Sequence, residues 1–183
     1  MTDEQIIKGC VENNPIAQQF LYDKFSRKMM GVCVRYCDSQ EEGEDVLQNG
    51  FIHIFENITS YKGAGSLEGW IRKVIVNTAL SHIRRNKKLK YNVDLESVEY
   101  LVASPIQSSD NLAAKELLQI IQTLPTGFRT VFNLYAIEGY SHKEIGDMLG
   151  ISEGTSKSQY SRAKIHLQKM LPSVYHTHKE QTI

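Results

Sequence analysis

Lys157, Ser158, Ser161 and Arg162 fall on one face of a stretch with helical spacing, opposite Ser156, Tyr160, Ala163 and Leu167. Two cations interleaved with two small hydroxyls suit the DNA major groove. Lys and Arg donate to guanine edges or to phosphates, and serines are small enough to let the backbone come close. Ile165 lies on the same outward stripe. A second constellation sits earlier, where Lys62, Arg72, Lys73, Arg84, Arg85, Lys87, Lys88 and Lys90 face a single acid, Glu68, between positions 61 and 90. On a helix, Lys73, Asn77, Leu80 and Arg84 form a line pointing away from the core. Cations on that line displace counterions from phosphates and give affinity without reading sequence, while the Asn77 amide can read a base edge. Tyr61 precedes this helix and Trp70 borders its buried face, so aromatic stacking can hold unpaired bases beside the cations. Just upstream, Glu41, Glu42, Glu44 and Asp45 make an acidic neighbour. The competing readings are plain: a solvated face on an ordinary αα-hairpin for the first constellation, and cap charge at a helix C-terminus for the second.

Other chemistries find no residues to carry them. The sequence holds no Ser/His/Asp set, no phosphate-cradling glycine loop and no carboxylates and histidines at ligand spacing, so no catalytic residue, metal or cofactor is expected. His176 and His178 stand alone near the end. The cysteines, Cys10, Cys33 and Cys37, are odd in number, which fits buried thiols in a reducing compartment better than a disulfide framework. The 21 basic and 21 acidic residues cancel, but the neutral average hides a basic surface abutting an acidic one. No start of signal-peptide type and no apolar run approaching about 20 residues is present, so a cytoplasmic protein without membrane insertion is expected.

Apolar residues recur at helical spacing almost throughout, and no stretch alternates as a strand would, which predicts an all-α chain. Thr2 and Gln5 cap a short first helix. Asn14 and Pro15 open a second, running to about Cys37 and burying Ala17, Phe20, Leu21, Phe25, Met29, Val32, Cys33 and Tyr36. Ser39 and Glu42 have capping-box spacing for a third helix with the stripe Val46, Leu47, Phe51, Ile54, Phe55 and Ile58, where Gly50 permits close packing. After Tyr61-Lys62-Gly63-Ala64-Gly65, Ser66 caps a fourth, turning Leu67, Trp70, Ile71, Val74, Ile75 and Thr78 inward. Periodicity fails from Tyr91 to about Asn111, the composition of a flexible linker. It resumes with Leu117, Ile120, Ile121 and Leu124, continues through Phe128, Val131, Phe132 and Tyr135, and stops at Gly139. Ser141 and Glu144 cap a short helix to Leu149. The turn Gly150-Ile151-Ser152 then leads into a longer helix from about Glu153 to Met170, which is helix-turn-helix spacing. The expected organisation is a helical domain over 1–90, a linker over 91–111, a helix-turn-helix domain over 112–171 and a tail over 172–183.

The order of these pieces resembles the extracytoplasmic-function (ECF) sigma factors of bacterial RNA polymerase, in which a helical region 2 and a helix-turn-helix region 4 flank a variable linker. The resemblance rests on Glu44-Asp45-Val46-Leu47-Gln48, on the loop from Tyr61 to Ser66, on Gly69-Trp70-Ile71-Arg72-Lys73 through Asn77 and Ala79, and on Ile83-Arg84-Arg85. Later it rests on Leu124-Pro125, Phe128 to Phe132, Glu138 to Ser141 with Glu144-Ile145, and Gly154 to Ser158 with Ser161 to Lys164. It implies a non-enzymatic subunit that directs core polymerase to promoters. The face with Asp45, Gln48, Asn49 and Phe55 would bind the core, through its beta and beta-prime subunits, although Asn49 stands where Glu is common. Tyr61, Lys62, Trp70 and Asn77 would capture a flipped base of the minus 10 element, with Lys73, Arg84 and Arg85 on nearby backbone. Lys157, Ser158, Ser161 and Arg162 would read the minus 35 element. Ser156 departs from the usual aliphatic residue, which predicts looser packing beneath that helix. A membrane-bound anti-sigma factor is a further partner that the resemblance allows. The rival reading is a helix-turn-helix regulator that acts without recruiting core polymerase.

Overall fold

The computed structural model describes residues 1–90 and 112–177, with side chains over 1–86 and 116–170. The expected linker, 91–111, lies outside the described residues, as does the end of the tail, 178–183. Every regular element among the described residues is helical, and the chain divides into two compact units, Met1–Glu99 and Tyr100–Ile183.

In the first unit, α1 (Asp3–Val11) starts from a complete capping box: the Thr2 hydroxyl accepts from Gln5 N, and the Gln5 side chain accepts from Thr2 N. α2 (Pro15–Tyr36) starts where the Asn14 side chain accepts from Ile16 N and Ala17 N, with proline at the first position, where no amide donor is missed. α3 (Gln40–Glu56) is capped by Ser39, but the box is only half made, because the Glu42 carboxylate accepts from Asp38 N in place of Ser39 N. A single 3-10 turn, Ile58–Ser60, leads to the loop before α4 (Leu67–Lys90), where Ser66 Oγ accepts from Gly69 N. α2 is the centre of the unit and packs against α1, α3 and α4, while α3 and α4 pack on each other.

Gly50 makes the α3–α4 contact close. A Cβ placed there would stand 2.4 Å from Ile75 Cδ1, inside any allowed contact. Two expected placements are corrected. Phe20 is 47% exposed, because it lies off the seam set by Ala17, Leu21, Phe25 and Met29 and no element covers it. Leu80, expected on the polar line of α4, is 1% exposed: two neighbours, α2 and α3, widen the buried stripe to include Val76 and Leu80. The three cysteines are buried and none forms a disulfide, and burial pushes the Cys33 thiol up to about 12.

In the second unit, α8 (Glu153–Thr177) packs against α5 (Leu112–Gln122), α6 (Thr126–Phe132) and α7 (His142–Leu149). Ile120, Leu124, Ala163 and Leu167 form its core, with Phe128 and Phe132 against them. Buried Arg129 ties α6 to the end of α5 by donating to the Gln122 carbonyl at 3.2 Å. The helical run after Pro125 does not continue as α-helix. It widens into a π turn, Asn133–Ile137, closed by Glu138 N donating to Asn133 O. Leu117 and Tyr135 are exposed on their helices. The last helix also runs past its expected end, since its backbone stays helical through Pro172 to Thr177.

Candidate nucleic-acid interface

The helix-turn-helix is made by local chemistry. Ser141 and Glu144 form a complete capping box on α7. Gly150 ends that helix at φ 67°, ψ 36°, a left-handed conformation that costs glycine little. Ser152 caps α8 by accepting from Thr155 N at 3.0 Å. The chain then crosses over Gly146, where a Cβ would come within 2.8 Å of the Ile151 carbonyl oxygen. Ile151 is half-buried between the helices.

On α8 the expected division of faces is present: Ser156, Ala163 and Leu167 are buried and Tyr160 is half-buried, while Lys157, Ser158, Ser161, Arg162 and Ile165 are exposed. The Ser158 hydroxyl donates to Thr155 O at 2.9 Å, which leaves its lone pairs facing outward as acceptors. Lys157 Nζ lies 2.6 Å from Glu153 Oε1. The packing under Ser156 is not loose. Ser156 is fully buried, and its hydroxyl sits 2.9 Å from His142 Nδ1. The His142 ring stacks on Tyr135 at 4.2 Å and 8°, and Tyr160 closes on both rings. The widened turn at Asn133–Ile137 carries Tyr135, whose ring lies against the His142 that contacts Ser156.

On the first unit, Lys73, Asn77, Arg84 and Arg85 are exposed on α4, so the expected polar line survives without Leu80. Tyr61 and Trp70 are brought together, with ring centroids 5.8 Å apart at 51°, and Tyr61 Oη donates to the Gly65 carbonyl at 2.8 Å, closing the loop. Lys62 projects from that loop into solvent. Below it lies an open cleft of about 800 Å³, bordered by Tyr61, Gly65 and Ser66 and by Lys8, Lys24 and Phe25 from α1 and α2.

Asp45, Gln48 and Asn49 are exposed together on α3. Phe55 is half-buried and packs on Phe51 with ring centroids 6.1 Å apart, which places it at the edge of that face. Three residues adjoining these faces were not singled out from the sequence. Ile52, 52% exposed, continues the Asp45–Gln48–Asn49 face at helical spacing, a signal that was present and unread. Lys28, on α2, pairs with Glu68 at 2.6 Å and offsets the one acid of the basic segment, a pairing that no local spacing announces. Glu153, adjoining Lys157, is held below the usual carboxylate range by its hydrogen bond to Lys157 and by the charges of Lys157, His142 and Lys143.

Two family models match this chain: Sigma-70 region 2 over residues 21–89 and Sigma-70, region 4 over residues 114–167. The ECF RNA polymerase sigma factor SigW of Bacillus subtilis is 30% identical over 163 residues, covering 82% of this chain and 87% of that protein. The RNA polymerase sigma-H factor of Pseudomonas aeruginosa is 26% identical over 180 residues, covering 92% and 93%. The fold is similar to that of the sigma factor RpoE in its co-crystal structure with the anti-sigma factor NepR from Bartonella quintana, with a TM-score of 0.56 and 20% identity over 84% of this chain and 96% of that one. The chain therefore belongs to the ECF sigma factors, the subunits that bind core RNA polymerase and direct it to promoters to initiate transcription.

Proposed function

We propose that the two units divide the task of promoter recognition, with residues 1–90 acting as region 2 and residues 112–171 as region 4. Asp45, Gln48 and Asn49, with Ile52 and the edge of Phe55, dock on the core enzyme. Tyr61, Lys62, Trp70 and Asn77 hold an unpaired base of the minus 10 element while Lys73, Arg84 and Arg85 grip adjacent phosphates. Lys157, Ser158, Ser161 and Arg162 read the minus 35 element. The observation that carries this division is the paired aromatic loop at the head of α4: Tyr61 and Trp70 lie side by side, next to Lys62 and in line with Asn77. Stacking is worth about 1–3 kcal/mol per base, which offsets much of the cost of unpairing each base that is captured. No nucleotide hydrolysis by this subunit is needed, and it contributes no catalytic residue.

A cytoplasmic site of action follows from the polymerase it serves; among the described residues no helix is long and apolar enough to cross a membrane. An anti-sigma factor, of the kind bound to the Bartonella protein, is a further expected partner.

Run-off transcription from a genomic promoter library, with sigma-free core polymerase and this protein, tests the reading. Discrete transcripts should require the protein and matched upstream elements. Replacing both Tyr61 and Asn77 with Ala should abolish open-complex formation while core binding persists, and Asp45→Lys with Gln48→Ala should abolish core binding and, with it, every transcript. Sequence-specific binding by the protein alone, with no transcripts, would replace this reading with that of a regulator acting without core recruitment.

A further inference from the structure

Glu153 is the first long side chain of α8, followed by Gly154 and preceded by the Ser152 cap, whose hydroxyl is engaged with Thr155. It is half exposed, and Lys157, one turn on, holds its carboxylate at 2.6 Å on the outward face. A recognition helix meets base edges with its first turns. A carboxylate there faces a surface of phosphates and ring acceptors that repel it. The only base groups in the major groove that it can satisfy are exocyclic amino hydrogens. Those of adenine lie beside the N7 acceptor, which opposes a carboxylate, whereas the N4 amino group of cytosine has no acceptor on its major-groove side. The ion pair is exposed and adds little stability, and the carboxylate also suits the positive end of α8, a modest contribution that leaves its remaining lone pairs open to DNA.

Resting on the reading of α8 as the minus 35 helix, we propose that Glu153 is a specificity-determining residue that accepts from the N4 amino group of a cytosine next to the base contacted by Lys157. The pair then acts as one acceptor and one donor held in register, the lysine orienting the carboxylate before DNA arrives. The low carboxylate range of Glu153 keeps it an acceptor throughout the physiological range.

The test is run-off transcription by the reconstituted holoenzyme from a promoter library randomised across the upstream element, with transcripts sequenced for wild type, Glu153→Gln, Glu153→Ala and Lys157→Ala. Wild type should show one column enriched in cytosine. Glu153→Ala should flatten that column by about fivefold, the low end for a base contact, and raise binding to random DNA. Glu153→Gln should move the column towards adenine, because an amide both accepts and donates there. An unchanged cytosine column in both Glu153 variants, with another column flattened in Lys157→Ala, overturns the proposal and leaves the interface standing. So does a wild-type library with no cytosine-enriched column. If neither Lys157→Ala nor the Glu153 variants change any column, the reading of α8 fails and takes the proposal with it.

Discussion

Gly50 sets the close approach of α3 to α4, and replacing it with Ala separates two opposing effects. In a helix interior, Gly→Ala alone is worth about 1 kcal/mol of added stability. Here the new Cβ would stand 2.4 Å from Ile75 Cδ1 and 3.8 Å from Ile75 Cα, and Ile75 is fully buried, so its methyl group must shift within the core. Overpacking of this kind costs about 1–3 kcal/mol, so Gly50→Ala should be destabilising by about 1 kcal/mol net. Ile75→Val, which removes the offending methyl, should cost about 1 kcal/mol by itself. Together the two should come close to wild type, because the alanine then fills the space the methyl vacates. The coupling, about 2 kcal/mol, is the quantity to measure. Trp70 is the only tryptophan and lies in the first unit, so its fluorescence in a urea titration follows that unit alone. A midpoint shift of about 0.5 M is expected for each single variant. Additive single effects, or a Gly50→Ala protein more stable than wild type, would refute the claim that this glycine is required by contact.

Ser156→Ala should remove the bond to His142 and destabilise the second unit by about 1 kcal/mol, seen as a thermal shift of about 4–8 °C in the circular-dichroism transition that Trp70 does not report. Cys33, its thiol raised to about 12 by burial, should resist alkylation at pH 8 in the native protein and react once urea unfolds it; rapid native labelling, mapped by mass spectrometry, would contradict the packing. Glu153 has a lowered native pKa, so its pairing with Lys157 contributes fully above the ordinary carboxylate value of 4.5 and fades as pH falls through the lower native one. Glu153→Gln should therefore lower stability slightly in the neutral region and make the acid limb of the stability profile shallower. Replacing Lys157 and Arg162 with Ala should reduce the slope of log affinity against log salt by up to about 2 in duplex binding, and an unchanged slope would place both side chains away from phosphates.

What could be read beforehand was what neighbouring residues decide among themselves. Thr2, Asn14, Ser141 and Ser152 each cap the helix expected of them, and Gly150 takes the left-handed turn, because these are short-range hydrogen bonds and steric limits. Burial depends instead on what arrives from elsewhere. A single-helix period identifies Phe20 and Leu80 as apolar positions but does not know that nothing covers the first and two helices cover the second. Ser156 shows the same limit: its departure from an aliphatic residue pointed to a gap, and the residue that answers it, His142, lies across the turn on another helix. The Asp45–Gln48–Asn49 face was legible only through the family resemblance, and Ile52, which lies outside the buried stripe of α3, is exposed beside it.

α4 is a single α-helical element from Leu67 to Lys90. At 1.5 Å per residue, Trp70 and Arg84 are separated along it by about 21 Å, close to six nucleotide steps of 3.4 Å. On the reading proposed above, the helix is a ruler that sets the distance between its backbone grip and the base it unstacks. Inserting one alanine between Asn77 and Arg84 would lengthen that ruler by under half a step while turning its far end by about 100°, so it should disable the grip by misdirecting it rather than by shifting the site of melting.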